Sequence, residues 1–280
     1  MNGVNPTMSR LPSIQFRWPS FLTGTVTSSW DDGTVHDRRL VQLFREHGFK
    51  GSFYLCSDRF CDQEGGDPRC ISSEEVRTLY KGFEVGSHTV THPRLWTLPP
   101  EVIFAEMVRD RQVLEAVAGE IVTGFVFPFG RGASGDAMLP LARRAGFLYA
   151  RRSSPAKVHE PPADFFNWDT SCHCGSELAE QWEFFKTRQE SDRLFNIWGH
   201  SYEFEEQWGW QHIEDFLQDA ARQDGLWFAT HRQVYDYISA WRGMLWSLDL
   251  GRAHNPSATP VFFTFNGREI RLLSGESTDL

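Results

Sequence analysis

Basic clusters are missing from this sequence. Its longest arginine and lysine runs are dipeptides such as Arg143-Arg144 and Arg151-Arg152, and the formal net charge is −9. A phosphate backbone needs a basic stripe, so no nucleic-acid partner is expected. Long hydrophobic runs are missing too. No segment approaches the ~20 apolar residues of a membrane span, and none is expected. The opening MNGVNPTMSRLPSIQFRWPS has neither the apolar stretch nor the small-residue cleavage pattern of a signal peptide, so a cytoplasmic location is the expectation. Cysteine is scarce and odd in number: Cys56, Cys61, Cys70, Cys172 and Cys174. A secreted disulfide framework pairs all of its members, so the count favours a reducing compartment. A structural zinc site using Cys172, Cys174 and a partner from the 56–70 loop would need a wider gap than Cys172-His173-Cys174 leaves. Unrelated thiols in or near the core are the simpler reading.

What is present is a chain of 280 residues, 40% apolar, long enough to bury a sizeable core. No internal repeat or low-complexity tract interrupts it. Short β-rich runs alternate with amphipathic ones. Strands are expected at Gly24–Ser29, Gly51–Leu55, Phe83–Ser87, Ile121–Phe127, Phe147–Ala150, Arg193–Trp198 and Leu226–Ala229. Helices are expected at His36–His47, Glu101–Ala118, Asp136–Ala145, Glu177–Gln189, Gln211–Gln223 and His231–Trp241. Ser72 with Glu75 makes a capping box that opens one more helix, and Gly82 stops it. Such alternation argues for parallel strands joined by crossover helices, and about seven units suggest a barrel. From Ser247 onward the helical pattern ends. Pro260–Phe265, Asn266-Gly267 and Glu269–Leu273 predict a β-hairpin. The chain is therefore read as an extension (1–20), a barrel (21–245) and a β appendage (246–280), with the first ~15 residues poorly ordered.

Three short segments carry candidate chemistry. Ser29-Trp30-Asp31-Asp32-Gly33 ends the first strand with two carboxylates pointing to different sides, so that one can ligate a metal while the other faces a water. His88-Thr89-Val90-Thr91-His92 follows the third strand, and histidines four apart can share one transition metal. Pro93 rules out a continuing surface helix. Ile197-Trp198-Gly199-His200-Ser201 brings a further histidine to a strand end. All three leave the C-terminal ends of predicted strands, the rim on which barrel active sites are built.

The SWDDG pair, the HTVTH pair, the FPFG segment (127–130) and the late WGHS histidine follow one another as in the polysaccharide deacetylase, or NodB-homology, family (carbohydrate esterase family 4-like). The resemblance covers roughly residues 22–240. It implies a distorted, incomplete (β/α) barrel of about seven strands with the small C-terminal β appendage. It also implies one divalent transition metal, zinc by default with cobalt or nickel as options, held by Asp32, His88 and His92. Asp31 would be the general base and His200 the general acid, and the backbone N–H of Phe129 would help hold the oxyanion. A carbohydrate substrate, hydrolysed at an N-acetyl group, follows from the same resemblance. Hydrolysis of a cyclic imide or ureide and an inactive carbohydrate-binding homologue are the alternatives.

The chain departs from the family in places. Ser29-Trp30 replaces the usual threonine-phenylalanine, and Val126 stands where many members have arginine, so Arg131 is the candidate to hold Asp31. Asp164-Phe165-Phe166-Asn167-Trp168 matches the fourth motif except at Asn167, with Asp169 a possible substitute for the missing aspartate. Asp164, Trp168 and Trp198 are accordingly expected to tune the site or bind substrate. Trp96, Trp208 and Trp210 are candidates for sugar contacts on rim loops, and Tyr202–Gln211 is a candidate groove wall.

Overall fold

In the computed structural model, which describes residues 11–130, 138–153 and 156–280, the alternation becomes strand–helix units in chain order. They run β1 (Ile14–Arg17), β2 (Gly24–Asp31), α1 (Asp37–Glu46), β3 (Ser52–Leu55), α2 (Val76–Leu79), β4 (Glu84–Ser87), α3 (Pro100–Ala118) and β5 (Gly124–Val126). Next come α4 (Leu139–Arg144), β6 (Tyr149–Arg151), β7 (Cys172–His173), α5 (Leu178–Thr187), β8 (Leu194–Gly199), α6 (Trp210–Ala221), β9 (Leu226–Phe228) and α7 (His231–Arg242). Five short strands close the chain: β10 (Leu245–Trp246), β11 (Arg252–His254), β12 (Val261–Phe265), β13 (Arg268–Leu272) and β14 (Ser277–Asp279).

The central sheet runs β6-β5-β4-β3-β2-β8-β7, with β9 paired to the first half of β2. Its ladders are parallel throughout, for example Trp30 opposite Phe53 on one side and Thr25 opposite Leu194 on the other. The alternation predicts a barrel of parallel strands, and its incomplete, curled form is the one the family resemblance implies. All eight residues of β2 are buried, the mark of a central strand covered on both faces. The helices dock through apolar stripes such as Leu40, Val41 and Phe44 on α1.

Polar side chains occupy the barrel interior beneath the rim. Tyr54 Oη lies 2.8 Å from His231 Nδ1, and His231 Nε2 lies 3.0 Å from Asn196 Oδ1. A Cβ on Gly86 would sit 2.3 Å from the Tyr54 ring, so glycine is required beside that tyrosine.

The fold corrects one expectation at the N-terminus. Ile14–Arg17 is a strand, and it pairs antiparallel with Val261–Phe265, so the segment before the barrel and the C-terminal hairpin form one three-stranded sheet. The Asn266-Gly267 turn is where the sequence puts it. Among the described residues no helix is long and apolar enough to cross a membrane.

A candidate metal-centred active site

The strand ends bring the three sequence segments together around one cavity of about 460 Å³, lined by Asp31, Asp32, His88, His92 and His200 with Phe127, Phe129, Trp198 and Tyr202. Roomier depressions of about 630 and 600 Å³ lie around Gly82 and Phe83, at the entry to β4. They hold no comparable convergence of ligating groups, so chemistry and not size marks the site.

The backbone is bent to build it. Asp32, Thr89, His92 and Phe129 all have positive φ, between 55° and 78°, a conformation that costs a non-glycine residue of order 1 kcal/mol or more. Such strain persists only where the surrounding structure enforces it. His88 and His92 therefore converge through a tight non-helical turn and not along a helix face. Their Nε2 atoms are 3.2 Å apart, and Asp32 Oδ1 lies 3.6 Å from His92 Nε2 and 4.0 Å from His88 Nε2. Ligand atoms ~2.0–2.2 Å from a tetrahedral ion sit roughly 3.4 Å apart, so this spacing suits one ion.

The tautomer suits it too. His88 Nδ1 lies 2.8 Å from the Val126 carbonyl, which can only accept, so Nδ1 carries the proton and Nε2 offers its lone pair inward. Burial holds the His88 pKa below the usual histidine value against the pull of Asp31 and Asp32. Burial, then the neighbouring His88, brings His92 down to about 4. Both rings are neutral near pH 7, as metal ligation requires. Asp110, buried on α3, anchors this corner by accepting from the Ser57 N–H (2.8 Å), the Ser87 hydroxyl (2.6 Å) and the His88 N–H (3.2 Å).

Asp31 faces the other way. Arg151 Nη2 contacts both of its oxygens, at 2.6 and 2.5 Å, and both side chains are buried. Burial alone would raise the Asp31 pKa. Arg151, then His88 and His200, outweigh it and hold the carboxyl below its ordinary value. The guanidinium comes from an unexpected place. Arg131, expected to hold Asp31, lies outside the described residues. Arg151 is instead the register partner of Val126 in the β5–β6 ladder, so the arginine absent from one strand is supplied at the same level by the next. It also sits over the Trp198 ring at 5.1 Å.

His200 Nε2 faces Asp32 Oδ2 at 3.9 Å, and His200 Nδ1 stands 3.4 Å from Glu203 Oε1. Burial would lower the His200 pKa, but Glu203, Asp31 and Asp32 together raise it above the usual value. Arg59, also missed in the sequence, donates to Asp32 at 3.0 Å and to Asp67 at 3.2 Å.

Several expected site residues are elsewhere. Asp164 caps a short helical turn and pairs with Arg143, half exposed and away from the cavity. Asp169 does not take over from Asn167, because both of its oxygens are bound by Arg152. Trp168 is fully buried and packs its ring 4.3 Å from that of His231, as a core side chain does. Of the candidate sugar-binding tryptophans, Trp198 lines the cavity and Trp96 stands exposed beside Phe129, with ring centroids 6.1 Å apart. Trp208 packs on Gly175, and Trp210 is buried against Glu205 and Arg39. From the segment Tyr202–Gln211, Tyr202 reaches the cavity wall. The thiols of Cys56 and Cys174 are buried donors to the His88 carbonyl and to Glu203.

Asp37, on the helix behind the rim, accepts from Tyr80 Oη (2.6 Å) and Ser201 Oγ (2.5 Å) and so ties down the His200 loop. Burial, aided by the Asp32 charge, pushes its pKa up to about 7 against those two hydrogen bonds. Its folded-state pKa thus lies above its unfolded one. Its contribution to stability is full below the ordinary carboxylate range and falls away as pH rises to about 7. Asp37→Asn, which cannot ionise, is expected to gain on the wild type by roughly 2–3 kcal/mol between pH 5 and pH 8 in thermal unfolding. An equal gap at both pH values would contradict this.

Residues 21–150 match the family model described as polysaccharide deacetylase. A 118-residue stretch is 29% identical to a gellan lyase from a Bacillus species, covering 41% of this chain and 4% of that protein. A 95-residue stretch is 30% identical to the "Probable peptidoglycan-N-acetylglucosamine deacetylase" of Arthroderma benhamiae, covering 34% and 21%. The chain thus spans only a small share of these relatives' own length. Its fold is that of a Mycobacterium smegmatis protein described as a polysaccharide deacetylase (TM-score 0.60, 15% identity, 83% of this chain and 96% of that one). It is also that of the Xyl-CE4 domain of a multidomain xylanase from the hindgut metagenome of Trinervitermes trinervoides (0.54, 13%, 77% and 91%). A CE4 family pseudoenzyme from Bacillus anthracis shares it at 0.50 (14%, 79% and 68%). Residues 21–150 thus carry the polysaccharide deacetylase match, on a barrel whose fold is that of the Mycobacterium smegmatis protein.

Proposed function

We propose that the protein is a metal-dependent hydrolase that removes N-acetyl groups from an amino sugar in a polysaccharide, oligosaccharide or glycoconjugate. The observation that carries this reading is the pairing of two carboxylates with opposite surroundings at one cavity. Asp32 joins two neutral histidines, while Asp31 is kept ionised by a buried arginine.

Asp32, His88 and His92 would hold a divalent transition ion, zinc being the default for two imidazoles and a carboxylate. Bound there, such an ion polarises an amide carbonyl and makes water more acidic. The remaining work falls to the chain's own groups. Asp31, fixed by Arg151, accepts the proton of the attacking water. Donation of a proton to the departing amine nitrogen falls to His200, whose raised pKa keeps it charged closer to neutrality than an ordinary histidine. Phe129, at positive φ, gives the FPFG turn a sharp path along the edge of the cavity. Exposed Trp96 and the Phe129 ring offer flat apolar faces to a sugar.

The test is acetate release from N-acetylglucosamine oligomers by the zinc-loaded protein, set against ring opening of a panel of cyclic imides. Acetate release alone is the expected result. Imide opening without acetate release would replace this reading with the other amide chemistry.

A further inference from the structure

A second group of ligating side chains lies directly behind His200. His173, His200 and Glu203 each offer an atom within 4.8 Å of the others, the same closeness as the Asp32, His88 and His92 group. Its hydrogen bonds give it the opposite character. The Gly175 N–H donates to His173 Nδ1 at 3.1 Å, so the neutral His173 ring carries its proton on Nε2. That Nε2–H points at Glu203 Oε2, 3.0 Å away. In the metal-centred group, His88 Nδ1 holds the proton and Nε2 is free. The lone pair that an ion needs is thus present in one group and blocked in the other.

Glu203 is instead a hub of donors. Besides His173, its Oε2 accepts from the His200 backbone N–H at 3.1 Å and from the buried Cys174 thiol at 3.3 Å. Its other oxygen stands 3.4 Å from His200 Nδ1, a buried atom with no well-aligned hydrogen-bond partner among the described residues. Asp164 and Asp169 are engaged elsewhere, by Arg143 and Arg152. The helix that starts after Glu203 is a five-residue π-helix, Phe204–Trp208, a form common at functional sites.

We propose that Glu203, held in place by His173 and Cys174, is the positioning residue of His200: it takes the Nδ1–H and so turns Nε2 towards Asp32 and the cavity. The inference rests on the reading of His200 as the proton donor. Fixing one imidazole nitrogen against a carboxylate decides which nitrogen faces the substrate. His173 adds a layer behind the carboxylate and, being 27% exposed in its side chain, can be changed without opening the core.

The experiment compares wild type, Glu203→Gln, Glu203→Asp and His173→Asn as full-length, zinc-loaded proteins. Two readouts are taken: the kcat and KM of acetate release, and the ¹⁵N shifts of the His200 ring, assigned with His200→Gln. Glu203→Gln is expected to lower kcat by about 10–100-fold, with KM within about twofold and zinc content unchanged, and to lose the protonated Nδ1 signature. Glu203→Asp should recover part of both, and His173→Asn should show a smaller loss of the same kind. Wild-type kcat together with an unchanged Nδ1 signal in Glu203→Gln would overturn the proposal. So would a second tightly bound zinc per chain that disappears in His173→Asn, since it would make the group a metal site. If the wild type releases no acetate but the Nδ1 signal still depends on Glu203, the positioning stands and the deacetylase reading falls.

Discussion

Asp31→Asn is expected to lower kcat for acetate release by about 10³-fold while leaving the bound metal in place. The two halves of this result follow from the two directions in which the adjacent aspartates point. Asp32 lies in the ligand group with His88 and His92, whereas Asp31 has both oxygens on Arg151. Asparagine keeps the shape and removes the base. Arg151 is 0% exposed, so the variant also leaves a buried guanidinium without its countercharge, and a lower Tm should accompany the loss of rate. Elemental analysis beside steady-state kinetics checks the prediction. Full activity in the variant would take the base role away from Asp31. The wild-type pH profile should carry the same signature: its acid limb lies below the ordinary carboxylate range and its alkaline limb above the ordinary histidine value.

His88→Ala is the second large effect. The ring is 2% exposed, with Nδ1 on the Val126 carbonyl and Nε2 facing His92 and Asp32, so its loss takes away one of the three candidate ligands. Removing it should cut the metal content from about one equivalent to near zero, and acetate release to background. A circular dichroism spectrum matching the wild type would show that the barrel survives. A variant that still holds one equivalent would mean the ion sits elsewhere.

Most of the barrel is legible in the sequence because its elements are marked locally. The Leu40, Val41 and Phe44 stripe, the Ser72 to Glu75 capping box and the Asn266-Gly267 turn each act over a few residues. The candidate ligands are legible for the same reason, since they sit in short segments at strand ends. The groups that tune the site act over long separations. Arg151 is 120 residues from Asp31, and its role depends on a register with Val126 that no local pattern encodes. The expected strand Phe147–Ala150 stops one residue short of it, whereas β6 ends on it. That Trp168 packs on His231 inside the barrel and does not line the cavity is likewise beyond a motif match, which carries no information on burial. Strand β1 is missed because its partner lies some 250 residues away, at Val261–Phe265. Glu203 did leave a signal, an acidic residue three positions after His200, but its neighbours in the YEFEEQWGWQ stretch suggest a groove wall more readily than a carboxylate turned inward.

The most direct test of the account is acetate release from an N-acetylglucosamine oligomer by one protein sample before chelation, after removal of bound metal, and after return of one equivalent of zinc. The account expects activity to vanish with the metal and to return with it, in step with occupancy. Undiminished acetate release from protein shown to be metal-free would contradict it.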